Sequence, residues 1–233
     1  MTALCALPGL DGTTRMLRGF LAAARDAGFT DARAVAYPPD RPLDYAALET
    51  LARAALPSAP FVLVGESFSG PIALRIAADP PPQLRGLVLS TTFARAPVPL
   101  PAAFAPFARW MPVHGAPAAA RAALLLGRWR TPALDADLRA SLHAVAPDVL
   151  RARAAATLRV DARDALPRIA LPTLSLRARH DRLLQASTAR TLHAGIAGIE
   201  VAEFDGPHLL LQTRTEACAA RIAAFARERC GMA

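Results

Sequence analysis

Through its first 93 residues the chain alternates short apolar runs with longer stretches whose apolar residues recur at helical spacing. Residues 2–7, 32–37, 61–64 and 84–90 have the length and composition of buried strands, and glycine, proline or aspartate punctuates most of their ends. Between them, residues 14–27, 45–56 and 68–78 read as helices; Gly28 closes the first and Asp44 is placed to cap the second. Such alternation predicts a parallel sheet with helices on both faces. The rhythm stops after Phe93. Residues 94–168 hold many prolines, both tryptophans and four candidate helices (101–110, 117–126, 135–145 and 148–158), but no strand signal. Strands resume at 172–178 and 199–204, and a helix over 214–229 closes the pattern. The expectation is one α/β domain over residues 1–233, with a helical cap inserted at about 94–168.

Composition narrows the class. With 53% hydrophobic and 20% charged residues, the chain has enough apolar surface for a core, which excludes intrinsic disorder. The formal charge of +8 comes entirely from arginine, scattered without a basic run or interleaved aromatics. That distribution argues against a nucleic-acid track, while leaving room for an acidic partner at one region. Cys5, Cys218 and Cys230 lie at the two ends without metal-ligand spacing, and their odd number suits a reduced compartment. The first residues lack a secretory pattern and no apolar run reaches membrane-spanning length, so a cytoplasmic location is expected.

The chemistry concentrates in Phe61-Val62-Leu63-Val64-Gly65-Glu66-Ser67-Phe68-Ser69-Gly70. A serine at a sharp strand-to-helix turn, with small neighbours, has the layout of a nucleophile elbow. Helix capping by Ser67 is the plainer alternative. A serine hydroxyl needs a base, and a histidine base needs an acid to fix its tautomer. In a parallel sheet both should follow strand ends, in the order serine, acid, histidine. His114 and His143 fall in the helical insertion, His193 inside a predicted helix, and His180 precedes any usable acid. His208, in Asp205-Gly206-Pro207-His208 after the last strand, is the candidate base. Asp181, after the penultimate strand, is the leading acid, and Asp205 competes from the histidine's own turn. Glu66 points away from the elbow tip and is left outside the triad. The oxyanion donors expected are the Phe68 N–H and, from Leu7-Pro8-Gly9-Leu10-Asp11-Gly12, the Leu10 N–H.

These segments, with Ala178-Arg179-His180-Asp181-Arg182-Leu183, resemble the α/β-hydrolases over nearly the whole chain. The resemblance implies a Ser67-Asp181-His208 triad, oxyanion donors at Leu10 and Phe68, a helical lid where the insertion lies, and no cofactor or metal. It also implies a sheet shortened at its N-terminal side, because the first strand leads directly into the oxyanion loop. Ser69 departs from the second elbow glycine, and Pro8-Gly9 from the common His-Gly. A serine nucleophile suits esters and thioesters, where relatives with aspartate or cysteine at the elbow perform other reactions. Phe93, Phe104, Phe107, Trp110 and Leu184 are candidates for an apolar acyl pocket. In size and lid placement the chain is similar to carrier-protein methyl esterases of biotin synthesis. Arg121, Arg128, Arg130, Arg139, Arg151, Arg153 and Arg159 in and beside the lid suggest docking of an acidic acyl carrier protein, or simply solvated helix faces. A small-molecule ester is the default substrate. A non-catalytic binding module and a triad-using lyase are the readings from other classes.

Overall fold

The computed structural model describes residues 3–97 and 118–232. β1 (Ala3–Leu7), β2 (Asp31–Ala34), β3 (Phe61–Glu66), β4 (Leu84–Ser90), β5 (Thr173–Ala178) and β6 (Glu200–Phe204) form one parallel sheet in the order β2-β1-β3-β4-β5-β6. Parallel neighbours need crossover connections, which lay helices over both faces and make the central strands apolar throughout. On one face Cys5, Leu7 and Leu63 pack with α2 (Tyr45–Ala54), α3 (Gly70–Ala78) and α7 (Ala186–Gly195). On the other, Leu4, Ala6, Val62 and Val64 pack with α1 (Arg18–Asp26), α8 (Leu210–Thr213) and α9 (Thr215–Cys230). This is the α/β-hydrolase fold.

The six strands lie where the apolar runs predict them. β2 ends at Ala34 rather than residue 37: beyond the end of β1, the Tyr37 N–H turns to the Gly12 carbonyl at 2.8 Å and Pro38 stops the ladder. Two predicted helices begin as a 3-10 turn instead. Arg15–Leu17 precedes α1, and Ser67–Ser69 precedes α3.

Between β4 and β5 the described residues form α4 (Ala118–Leu125), a 3-10 turn (Gly127–Trp129), α5 (Pro132–His143) and α6 (Pro147–Thr157). The helix expected at 101–110, with Phe104, Phe107 and Trp110, lies outside the described residues. α5 starts three residues early because Thr131 Oγ1 accepts the Leu134 N–H and Pro132 occupies the first turn. These helices rest on the loops at the carboxyl edge of the sheet. Ala122, Leu126 and Leu138 cluster with Met16 and Leu209. The Leu209 N–H donates to Leu125 O at 3.1 Å, and the Ala146 N–H to Pro39 O at 2.9 Å.

The strand order also opens a crevice. The chain leaves β1 toward β2 on one side and returns to β3 on the other, so the loops after β1 and β3 part at their carboxyl ends. Ligands of open parallel sheets bind at such a switch point.

Candidate active site

Ser67 sits at the end of β3 with φ +46°, a conformation that non-glycine residues rarely adopt. Small neighbours make the turn possible. A Cβ on Gly65 would fall 2.6 Å from Ala73 Cβ, and one on Gly70 only 1.8 Å from Thr92 Oγ1. Thr92 Oγ1 donates to the Ser67 carbonyl, tying the elbow to the loop after β4. Ser69, in place of the second glycine, is fully buried. Its hydroxyl donates to Pro8 O and lies 2.7 Å from the Tyr37 hydroxyl. The departure from glycine therefore ties the elbow to the loop after β1.

The structure brings Ser67, His208 and Asp181 together. Ser67 Oγ lies 2.8 Å from His208 Nε2, and His208 Nδ1 lies 2.9 Å from Asp181 Oδ2. Asp181 Oδ1 accepts the N–H groups of Leu183 and Leu184 at 2.8 and 2.9 Å, which aims its other oxygen at the histidine. With an ionised carboxylate accepting at Nδ1, that nitrogen carries the proton and Nε2 is left to accept from the serine. His208 is 2% exposed, and its carbonyl accepts Thr91 Oγ1 at 2.9 Å. The loops after β5 and β6 meet through Arg179 N–H to Phe204 O and His180 N–H to Gly206 O, at 2.9 and 3.0 Å.

Asp205, the competing acid, is engaged elsewhere. Its carboxylate meets His180 Nε2 at 2.9 Å, Arg128 at 2.8 Å and Arg214 at 3.3 Å.

Of the expected oxyanion donors, Phe68 is the second residue of the Ser67–Ser69 turn, where N–H groups have no partner inside the helix. Its carbonyl accepts the Tyr45 hydroxyl at 3.1 Å and its ring stacks on Tyr45 at 4.8 Å. Leu10 follows Gly9 in a turn closed by the Gly12 N–H on Gly9 O at 3.0 Å, which leaves the Leu10 N–H outside the turn's own bond. Of the pocket candidates, Phe93 is 2% exposed and packed in the main core. Leu184 lines a cavity of about 140 Å³ beside Asp181, Thr91 and Gln185.

Two buried ionisable groups border this site. Glu66 lies beneath the elbow, where its Oε1 accepts Gln212 Nε2 at 2.8 Å. Burial pushes its carboxyl up to about 7, against the Gln212 hydrogen bond, with Asp11 raising it and His208 and the Gly9 N–H lowering it. Arg153 of α6, expected on a solvated docking face, is instead buried against the loop after β1. The signal was present in the sequence: Val149, Leu150 and Arg153 share one helix stripe, so the arginine occupies a position that otherwise faces the core. Among the described residues no group of His, Cys, Asp or Glu could hold a metal ion, and no helix is long and apolar enough to cross a membrane. The three cysteines are free.

A family model described as serine aminopeptidase, S33, matches residues 43–206, more than two thirds of the chain. A search of curated proteins finds no match. Among solved structures, a hydrolase from Pseudomonas aeruginosa PA01 is 24% identical, with a TM-score of 0.77 over 96% of this chain and 89% of that one. The enol-lactonase of Burkholderia xenovorans LB400 is 20% identical, with a TM-score of 0.80 over 97% and 92%. An esterase from Exiguobacterium antarcticum is 15% identical, with a TM-score of 0.80 over 98% and 92%. At these identities the likeness is one of fold.

Proposed function

This chain belongs to the serine aminopeptidase, S33, family of α/β-hydrolases, and from that premise we propose that it is a serine carboxylesterase working through an acyl-enzyme. One observation carries the proposal: the hydrogen-bonded chain from Ser67 Oγ through His208 to Asp181, at 2.8 and 2.9 Å, on an elbow with positive φ. Ser67 attacks the ester carbonyl while His208 Nε2 takes its proton. Asp181 holds the imidazolium that forms. The Leu10 and Phe68 N–H groups receive the oxyanion, His208 returns the proton to the departing alcohol, and water activated by the same histidine releases the acid and restores Ser67. No cofactor enters this cycle. The unit is one domain over residues 1–233, with the helical insertion at about 94–168 as its cap.

The family description favours a second reading, hydrolysis of an aminoacyl amide by the same machinery. Docking of an acyl carrier protein has less support. Arg128 is paired with Asp205, Arg130 with Asp135, and Arg153 is buried, which removes three of the seven arginines from a docking face.

The test is a panel of p-nitrophenyl esters and acyl thioesters of varied chain length, with aminoacyl p-nitroanilides, run on the wild type and Ser67→Ala. Ester turnover in the wild type, lowered about 10⁴-fold or more in Ser67→Ala, is expected, together with fluorophosphonate labelling of the wild type alone. Equal rates in the two proteins would overturn the proposal. Turnover of anilides alone would select the amide reading.

A further inference from the structure

The loop after β1 is gripped from the cap by one side chain. Arg153 Nη1 donates to Asp11 O at 2.7 Å and to Leu10 O at 3.2 Å, while Nη2 donates to Pro38 O at 2.9 Å. The residue is 1% exposed, and its guanidinium lies 5.7 Å from the Tyr37 ring centroid. Gly12 is shaped to admit it. With φ +69° and no side chain, Gly12 leaves the space where a Cβ would stand 2.4 Å from Arg153 Nη1.

We propose that Arg153 is a positioning residue of the oxyanion loop, through which α6 of the cap holds the Leu10 N–H in its reactive orientation. This rests on the esterase reading above, in which Leu10 is an oxyanion donor. The Leu10 N–H shares a peptide plane with the Gly9 carbonyl, so its direction follows from the turn closed by Gly12 N–H on Gly9 O. That turn keeps its shape only if its two central residues keep their backbone conformation. Arg153 binds the carbonyl of each, at Leu10 and at Asp11. Without the guanidinium, three carbonyls lose a charge-assisted donor in a buried place, and the turn can relax toward other partners. An oxyanion donor acts only if it is aimed in advance at the developing charge. Ground-state binding of the ester does not use that orientation to the same degree, so the loss falls on the transition state.

Arg153→Ala is therefore expected to lower kcat by about 10- to 100-fold with KM changed less than about threefold, below the full loss of an oxyanion donor. Affinity for a boronic acid, which forms a tetrahedral adduct on Ser67, should fall by the same factor as kcat/KM. Adding methylguanidinium should restore part of kcat to the alanine variant, and Arg153→Lys should be intermediate. Circular dichroism and thermal melts report folding. If Arg153→Ala does not fold, Arg153→Lys is read alone: a parallel fall in kcat and boronate affinity supports the proposal. A folded variant with unchanged kcat and boronate affinity overturns it, as does a fall that tracks only the folded fraction. Those outcomes differ from failure of the esterase reading. A wild type that neither turns over esters nor is labelled at Ser67 removes that reading and the positioning role together. An active wild type beside an unaffected variant removes the positioning role alone.

Discussion

Glu66 stands next to Ser67 in sequence, yet its side chain is buried and meets Gln212. A carboxyl whose folded pKa is raised to about 7 is favoured by folding in its protonated form. Its stabilisation is therefore complete below the unfolded pKa of about 4.3 and is lost as pH rises through 7. Glu66→Gln removes this dependence while keeping an acceptor for Gln212. Between pH 5 and pH 8 the variant should gain about 2 to 3 kcal/mol relative to the wild type, measured by urea unfolding at the two values. An unchanged difference would mean that Glu66 stays ionised in the folded protein. The local chemistry of the elbow was legible from residues 61–70, because a strained turn needs small neighbours wherever it occurs. The role of Ser69 was not. Whether a small polar residue fills space or joins two loops depends on Pro8 and Tyr37, which its neighbours in sequence do not reveal.

Helices and strands emerged close to their predicted limits, and the exceptions are instructive. α2 begins where Asp44 accepts the Ala47 N–H at 2.8 Å, as the sequence suggests. Asp44→Ala should cost about 1 kcal/mol in a denaturant melt, the usual loss of an N-cap. No change in midpoint would show that tertiary packing alone sets the start of α2. The 3-10 openings before α1 and α3 were hidden, because an apolar stripe marks a helical stretch but does not distinguish its first turn. At α3 the cause is the elbow: Ser67, held at positive φ, cannot belong to a regular helix, so α3 starts only at Gly70.

Three parts of the chain converge on Asp205, in the turn leading to His208: His180 from the loop after β5, Arg128 from the helical stretch between β4 and β5, and Arg214 before α9. Asp181, 27 residues from His208, reaches the histidine ring, while the nearer Asp205 does not. The two acids should separate sharply in kinetics. Asp181→Asn is expected to lower kcat about 10⁴-fold, because its amide oxygen keeps the Leu183 and Leu184 N–H groups and its NH2 then donates to Nδ1, which fixes the imidazole in the wrong tautomer. Asp205→Asn, at half-exposed ion pairs that solvent screens, should leave kcat within about threefold. Comparable losses in both variants would reassign the triad acid.

Alternation of short apolar runs with amphipathic helices was enough to specify the parallel sheet and to put Ser67, Asp181 and His208 at its strand ends, because burial and turn sterics act on neighbouring residues. Choosing between Asp181 and Asp205, burying Arg153 against the Leu10 turn and raising the Glu66 pKa required the folded chain. Each depends on distance through space between groups far apart in sequence, and on the desolvation that only the completed packing around them imposes.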